Sequence, residues 1–120
     1  MNILVVDDDE MVLQVCCGML SQLEHSCVCV CSAVQAIELL TASTESFDLM
    51  IIDNLLPQLS GMELFAILRE WKISIPVILV SGMMPSFEIC EQGQQPPKFH
   101  FLGKPFTIAQ LESAIRKSIA

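Results

Sequence analysis

Phe47-Asp48-Leu49-Met50-Ile51-Ile52-Asp53-Asn54-Leu55-Leu56-Pro57 is the stretch whose reading decides the fold. An apolar run of β-branched and long aliphatic side chains stops on a carboxylate, and a proline follows four residues later. Such a run reads as a strand buried on both faces and bounded by turn signals, which suits the middle of a parallel sheet. Asp53 then lies where the strand surfaces, and in open α/β sheets ligands bind at that carboxyl end. Taken alone, an aspartate there is most often a turn residue. Its weight depends on what else points to the same place.

Outward from this strand, the chain alternates. Asn2 to Val6 reads as a first strand ending on Asp7-Asp8-Asp9-Glu10, whose carboxylates suit the N-terminus of a following helix. Met11, Val12, Val15, Cys16, Met19, Leu20 and Leu23 recur at helical spacing, so a helix is expected from Met11 to about Leu23. A second strand, about Cys27 to Cys31, precedes a helix near Val34 to Leu40. Ser60-Gly61 opens a helix with Met62, Phe65 and Leu68 on one face, running to about Trp71. A fourth strand, Ile75 to Val80, is entered through Pro76 and left through Ser81-Gly82. Lys98 to Leu102 is a short fifth strand before Gly103-Lys104-Pro105-Phe106. Thr107 and Gln110 form a capping box for a last helix, with Ile108, Leu111, Ile115 and Ile119 as its apolar stripe and Arg116 and Lys117 at its C-terminal end. Strands alternating with helices predict an α/β domain, residues 1–120, with a parallel sheet covered on both faces.

Composition narrows the function. The 120 residues are 52% hydrophobic, yet no apolar run approaches the roughly 18 residues that span a bilayer. No basic segment with a cleavage site opens the chain, so a cytoplasmic protein without a membrane anchor is expected. A formal net charge of −8 argues against a nucleic-acid surface. The six cysteines lack zinc-site spacing and are read as reduced, buried packing groups. His100, flanked by Phe99 and Phe101, is read as packed, and His25 as a loop residue without a specific role.

Right-handed crossovers bring the C-terminal ends of the first, third, fourth and fifth strands to one rim. They deliver Asp7 and Asp8, Asp53, Ser81 and Lys104. Clustered carboxylates repel one another unless a cation sits among them, and hard oxygens on loops with room for water suit Mg²⁺. A hydroxyl and an ammonium opposite them suit an anion with several oxygens. Together they make a site for a phosphoryl group held on a carboxylate, where catalysis is positioning and charge neutralisation.

With these residues in place, the chain resembles the receiver domain of two-component response regulators. The resemblance rests on Val5-Val6-Asp7-Asp8, on Asp53 with Pro57 and Gly61 downstream, on Ser81-Gly82 and on Lys104-Pro105-Phe106, an ordered set that covers essentially the whole chain. It implies a flavodoxin-like (βα)5 fold with strand order 2-1-3-4-5. It also implies that Asp53 is the phosphoacceptor and that Asp8 binds Mg²⁺ directly and Asp7 through water, with Asp53 and the Leu55 carbonyl beside them. Ser81 and Phe101 resemble the switch residues, Lys104 the ammonium that pairs with the phosphoryl group, and Lys104–Pro105 a cis bond. The implied partner is a sensor histidine kinase or phosphotransfer domain, with no direct nucleic-acid or membrane contact, and a homodimer is left open. The chain would not be an enzyme in its own right.

One segment departs from the family pattern. Between Met83-Met84-Pro85 and Gly93-Gln94-Gln95-Pro96-Pro97 only Ser86 to about Gln92 can be helical, so the fourth helix is expected to be short or irregular. Two rival functions are a non-phosphorylated docking module and a small phosphatase of the haloacid-dehalogenase kind. The phosphatase would use Asp7 as nucleophile and Asp9 as acid/base, but Met11 stands where its motif wants Thr or Val. Leu55 and Met83, which in the family flank the path of the hydrolytic water, are both apolar here. Slow self-dephosphorylation is therefore expected: followed by intact mass, a phosphorylated chain should outlast seconds under native conditions, and decay within seconds would refute the reading.

Overall fold

A computed structural model describes residues 1–42, 47–54, 56, 59–73, 75–82 and 99–119. Five strands form one parallel sheet: β1 (Asn2–Val6), β2 (Ser26–Val30), β3 (Leu49–Asp53), β4 (Val77–Ser81) and β5 (Phe99–Gly103). Their order is β2-β1-β3-β4-β5, with every neighbouring pair parallel, as expected. Among the described residues there are four helices, α1 (Glu10–Gln22), α2 (Ala33–Ala42), α3 (Gly61–Glu70) and α4 (Ile108–Ile119). The short helix expected within Ser86–Gln92 lies outside the described residues, as do Leu55, Pro57, Met83 and Lys98.

Burial explains the strand order. Every residue of β3 and β4 is buried, and so are Ile3 to Val6 of β1. These uninterrupted apolar runs require cover on both faces, so they take the middle of the sheet. β2 and β5, at the edges, are only partly buried. Alternate strand residues face opposite sides. Leu4, Val6, Met50, Ile52, Val77, Leu79 and Phe99 pack on one face beneath α2 and α3. Ile3, Val5, Leu49, Ile51, Ile78 and Val80 pack on the other beneath α1 and α4.

The helices follow their periodic signals, with corrections on which residues point inward. In α1 the buried residues are Leu13, Cys16 and Leu20. Met11 and Val15, expected on the apolar stripe, are 74% and 56% exposed. In α4 Ile119 is half-exposed, while Ser118 is buried with its hydroxyl donating to the Ala114 carbonyl at 2.8 Å. That bond satisfies the hydroxyl and makes its burial affordable. The capping box expected at Thr107 and Gln110 is formed, each side chain accepting from the other's backbone amide at 3.1 and 2.8 Å. His25 is less idle than expected, since its Nδ1 lies 3.2 Å from the Met1 amine. No described helix is long and apolar enough to cross a membrane.

The cysteines divide. Cys16 is a packing residue, buried in the core. Cys17 and Cys29 depart from the expectation of reduced packing groups, because their Sγ atoms are in bonding contact, as a disulfide, between α1 and β2.

Ile52 is fully buried in β3, whereas Val34 on α2 is half-exposed. Ile52→Ala should lower the unfolding free energy by about 2–5 kcal/mol in a urea titration, and Val34→Ala should change it by less than about 0.5 kcal/mol. Equal effects would contradict the burial assigned to β3.

Candidate functional site

The rim at the C-terminal ends of the strands is assembled by backbone hydrogen bonds that run past the ends of the ladder. The Asp7 amide donates to the Val30 carbonyl at 3.2 Å, extending the β1–β2 pairing by one residue. Asp53 closes β3 opposite Val80 of β4, and the Asn54 amide donates to the Val80 carbonyl at 2.9 Å. Ser81 closes β4 opposite Gly103, and its carbonyl accepts from the Lys104 amide at 2.9 Å. Asp7, Asp53 and Ser81 are all buried, while Asp8 is exposed.

Lys104 reaches into this group from the far end of the chain. Its ammonium lies 3.1 Å from Asp7 Oδ2 and 3.3 Å from Asp53 Oδ1. Burial by itself would lower the pKa of this ammonium. The hydrogen bond to Asp7 and the charges of Asp53 and Asp7 outweigh that effect and hold it above the ordinary lysine value. The other oxygen of Asp7, Oδ1, accepts from the Asp9 amide at 2.9 Å. Asp9 caps α1, its Oδ1 accepting from the Met11 amide at 2.9 Å. A carboxylate committed to a helix cap is poorly placed as the acid/base of a phosphatase.

Carboxylate oxygens of Asp7, Asp8 and Asp53 lie within 4.8 Å of one another. Among the described residues these three carboxylates outnumber the one ammonium beside them, and Asp8 is exposed. This all-oxygen donor set, open to water, fits Mg²⁺, which binds through one or two carboxylates and retains much of its hydration. The Leu55 carbonyl expected to complete the set lies outside the described residues.

Two supports hold Asp53 in place. A Cβ at Gly61 would stand 2.8 Å from the Asp53 carbonyl oxygen, 3.0 Å from Asn54 Cα and 2.5 Å from Leu79 Cδ1. The start of α3 therefore packs directly on the end of β3, and only glycine fits at that approach. The Gly61 amide also donates to the Asn54 carbonyl at 3.1 Å. Ser60 and Glu63 form a capping box immediately before this contact, with both reciprocal bonds at 3.1 Å. The Ser60-x-x-Glu63 spacing was available in the sequence as its signal.

Beneath the carboxylates lie apolar residues, among them Val5, Val12, Ile51, Val80 and Phe106, together with Cys16. Burial, followed by the neighbouring Cys27 and Asp7, pushes the Cys16 thiol up to about 12, so it is not a reactive group at neutral pH. Phe101 is half-buried and meets Phe99 edge-on at 5.0 Å between ring centroids. The Lys104–Pro105 peptide bond is cis, as expected.

The family model described as the response regulator receiver domain matches residues 3–116. The alkaline phosphatase synthesis transcriptional regulatory protein PhoP of Bacillus subtilis is 30% identical over 116 residues, 96% of this chain but 47% of that regulator. The chain thus spans about half, or less, of the curated relatives it matches. Among solved structures, a response regulator receiver domain protein from Clostridium thermocellum superposes with a TM-score of 0.83 at 26% identity, covering 98% of this chain and 93% of that one. The receiver domain of a sensor histidine kinase from Pseudomonas aeruginosa, solved with a magnesium ion coordinated in its active-site cleft, has the same fold. Its TM-score is 0.80 at 24% identity, covering 98% of this chain and 96% of that one.

Replacing the bridging lysine should expose the repulsion it relieves. Lys104→Met should lower the melting temperature in chelator, and millimolar Mg²⁺ should restore more stability to the variant than it adds to the wild type. An equal gain in the two proteins would show that Lys104 does not offset the carboxylates.

Proposed function

The chain belongs to the response regulator receiver domain family, and from that membership we propose that Asp53 accepts a phosphoryl group from a sensor histidine kinase or phosphotransfer domain. The observation that carries the reading is the buried Asp53 carboxylate, 3.3 Å from the Lys104 ammonium and clustered with Asp7 and Asp8. A nucleophilic carboxylate with a cation beside it and further carboxylates around it matches what phosphoryl transfer needs.

In this mechanism an Asp53 oxygen attacks the phosphorus in line. The new O–P bond forms as the N–P bond of the donor breaks, and the departing imidazole keeps that electron pair. Asp7 and Asp8, with Asp53, would hold Mg²⁺, which when bound supplies positive charge to the phosphoryl oxygens. Lys104 is already oriented by Asp7, so it can give up its contact with Asp53 and pair with a phosphoryl oxygen instead. Ser81, on the neighbouring strand, offers its hydroxyl to another. Its movement, followed by Phe101, would carry the change away from the site, so the chain acts as a signal-accepting module rather than an enzyme with a free substrate.

The surface beside the rim suits the donor. Met11 and Val15 on α1 join Pro105 and Phe106 in a largely apolar groove that Lys104 also lines. A phosphodonor seated there would bring its histidine to Asp53. Together with the net charge of −8, this favours a protein partner over nucleic acid, in the cytoplasm, where such kinases present their phosphohistidines.

Intact mass after incubation with acetyl phosphate and Mg²⁺ tests the proposal. The wild type should gain one phosphoryl group, and the gain should vanish in Asp53→Asn or without the metal. A chain that binds no Mg²⁺ and gains no mass would be a docking module instead, and an adduct that survives in Asp53→Asn would assign the wrong residue.

A further inference from the structure

The contact between α1 and the edge strand β2 carries a group of side chains that the acidic rim does not use. Cys27 and Cys29 are two residues apart on β2 and so share a face, and Cys17 on α1 meets them there. The three Sγ atoms lie within 4.8 Å of one another. Cys17 and Cys27 are half-buried and Cys29 is exposed, so the group is reachable from solvent.

In the oxidised chain Cys17 and Cys29 are joined as a disulfide, and reduction leaves three thiols at one place. With metal–sulfur bonds of about 2.3 Å, two thiolates on one ion stand roughly 4 Å apart. Cys27 and Cys29 Sγ are already 4.0 Å apart. We propose that in the reduced chain Cys17, Cys27 and Cys29 form a three-thiolate binding site for a single soft, thiophilic cation of the Cu(I) type.

The donor set selects the ion. The group contains neither histidine nor carboxylate, and all-thiolate sites favour Cu(I) and Zn²⁺. A closed zinc site takes four protein ligands, and this group has three. Cys31, which follows β2, donates from its Sγ to Gln35 Oε1 at 3.3 Å and is not one of the three clustered sulfurs. Three clustered sulfurs suit the low coordination number of Cu(I). Binding releases the thiol protons to solvent and exchanges no electrons. Because the ligands come from two elements, the bound ion ties α1 to the edge of the sheet and stabilises the fold by mass action.

The test is an anaerobic titration of the fully reduced chain with Cu(I), in competition with the chromophoric chelator bathocuproine disulfonate. One Cu(I) per chain is expected, with a rise in melting temperature. Cys17→Ser, Cys27→Ser and Cys29→Ser should each weaken binding by at least about tenfold, and Cys31→Ser should leave it nearly unchanged. Alkylation of the wild-type cysteines with iodoacetamide, mapped by peptide mass with and without Cu(I), gives a readout that no variant's folding can disturb. Joint protection of Cys17, Cys27 and Cys29 supports the site. The absence of a one-to-one complex, wild-type affinity in Cys27→Ser, or no protection at Cys27 would overturn it.

Discussion

Asp7 and Asp53 end two adjacent buried strands, and the Lys104 ammonium lies between them at 3.1 and 3.3 Å. Like charges held this close repel strongly away from bulk water, and the ammonium between them offsets that repulsion. The sheet creates this problem, because strands covered on both faces bring their ends together away from water. It also supplies the answer, since the fifth strand returns the chain to the same rim with a lysine at its end. Among the described residues the three clustered carboxylates of Asp7, Asp8 and Asp53 still outnumber the one ammonium beside them, a donor set that suits a divalent cation.

The supporting structure is built to keep Asp53 from moving. Its backbone carbonyl is packed against Gly61 so closely that no side chain fits between them. The capping box of Ser60 and Glu63 fixes where α3 begins, and the Asn54 amide continues the β3–β4 ladder past the strand end. The backbone that carries Asp53 is therefore fixed from two sides, by the neighbouring strand and by the start of α3. Other parts of the fold are less tightly covered. The edge strands are half-covered, and α1 leaves Met11 and Val15 in solvent.

Much of this was legible beforehand, and the reasons are specific. Leu49 to Asp53 could be assigned to the centre of the sheet because a continuous apolar run has nowhere else to go. Asp7, Asp8, Ser81 and Lys104 could be assigned to one rim because right-handed crossovers leave no other arrangement. The inward faces of the helices were less legible. Periodicity placed Met11 and Val15 on one stripe with Cys16 and Leu20 and left out Leu13, which is buried, because the actual choice depends on how each helix lies across the sheet. Ser118 was passed over because its burial depends on a bond to Ala114 that hydropathy does not register.

The sequence by itself determined the alternation of elements, the central strands and the identity of the rim residues. These follow from local patterns and from chain connectivity, each of which can be read along the chain. Only the tertiary structure decided that Lys104 bridges Asp7 and Asp53, that Gly61 abuts the Asp53 carbonyl, and that Cys17 meets Cys27 and Cys29. Those contacts join residues from different elements, and their distances are set by how helices pack on the sheet, which no local pattern encodes.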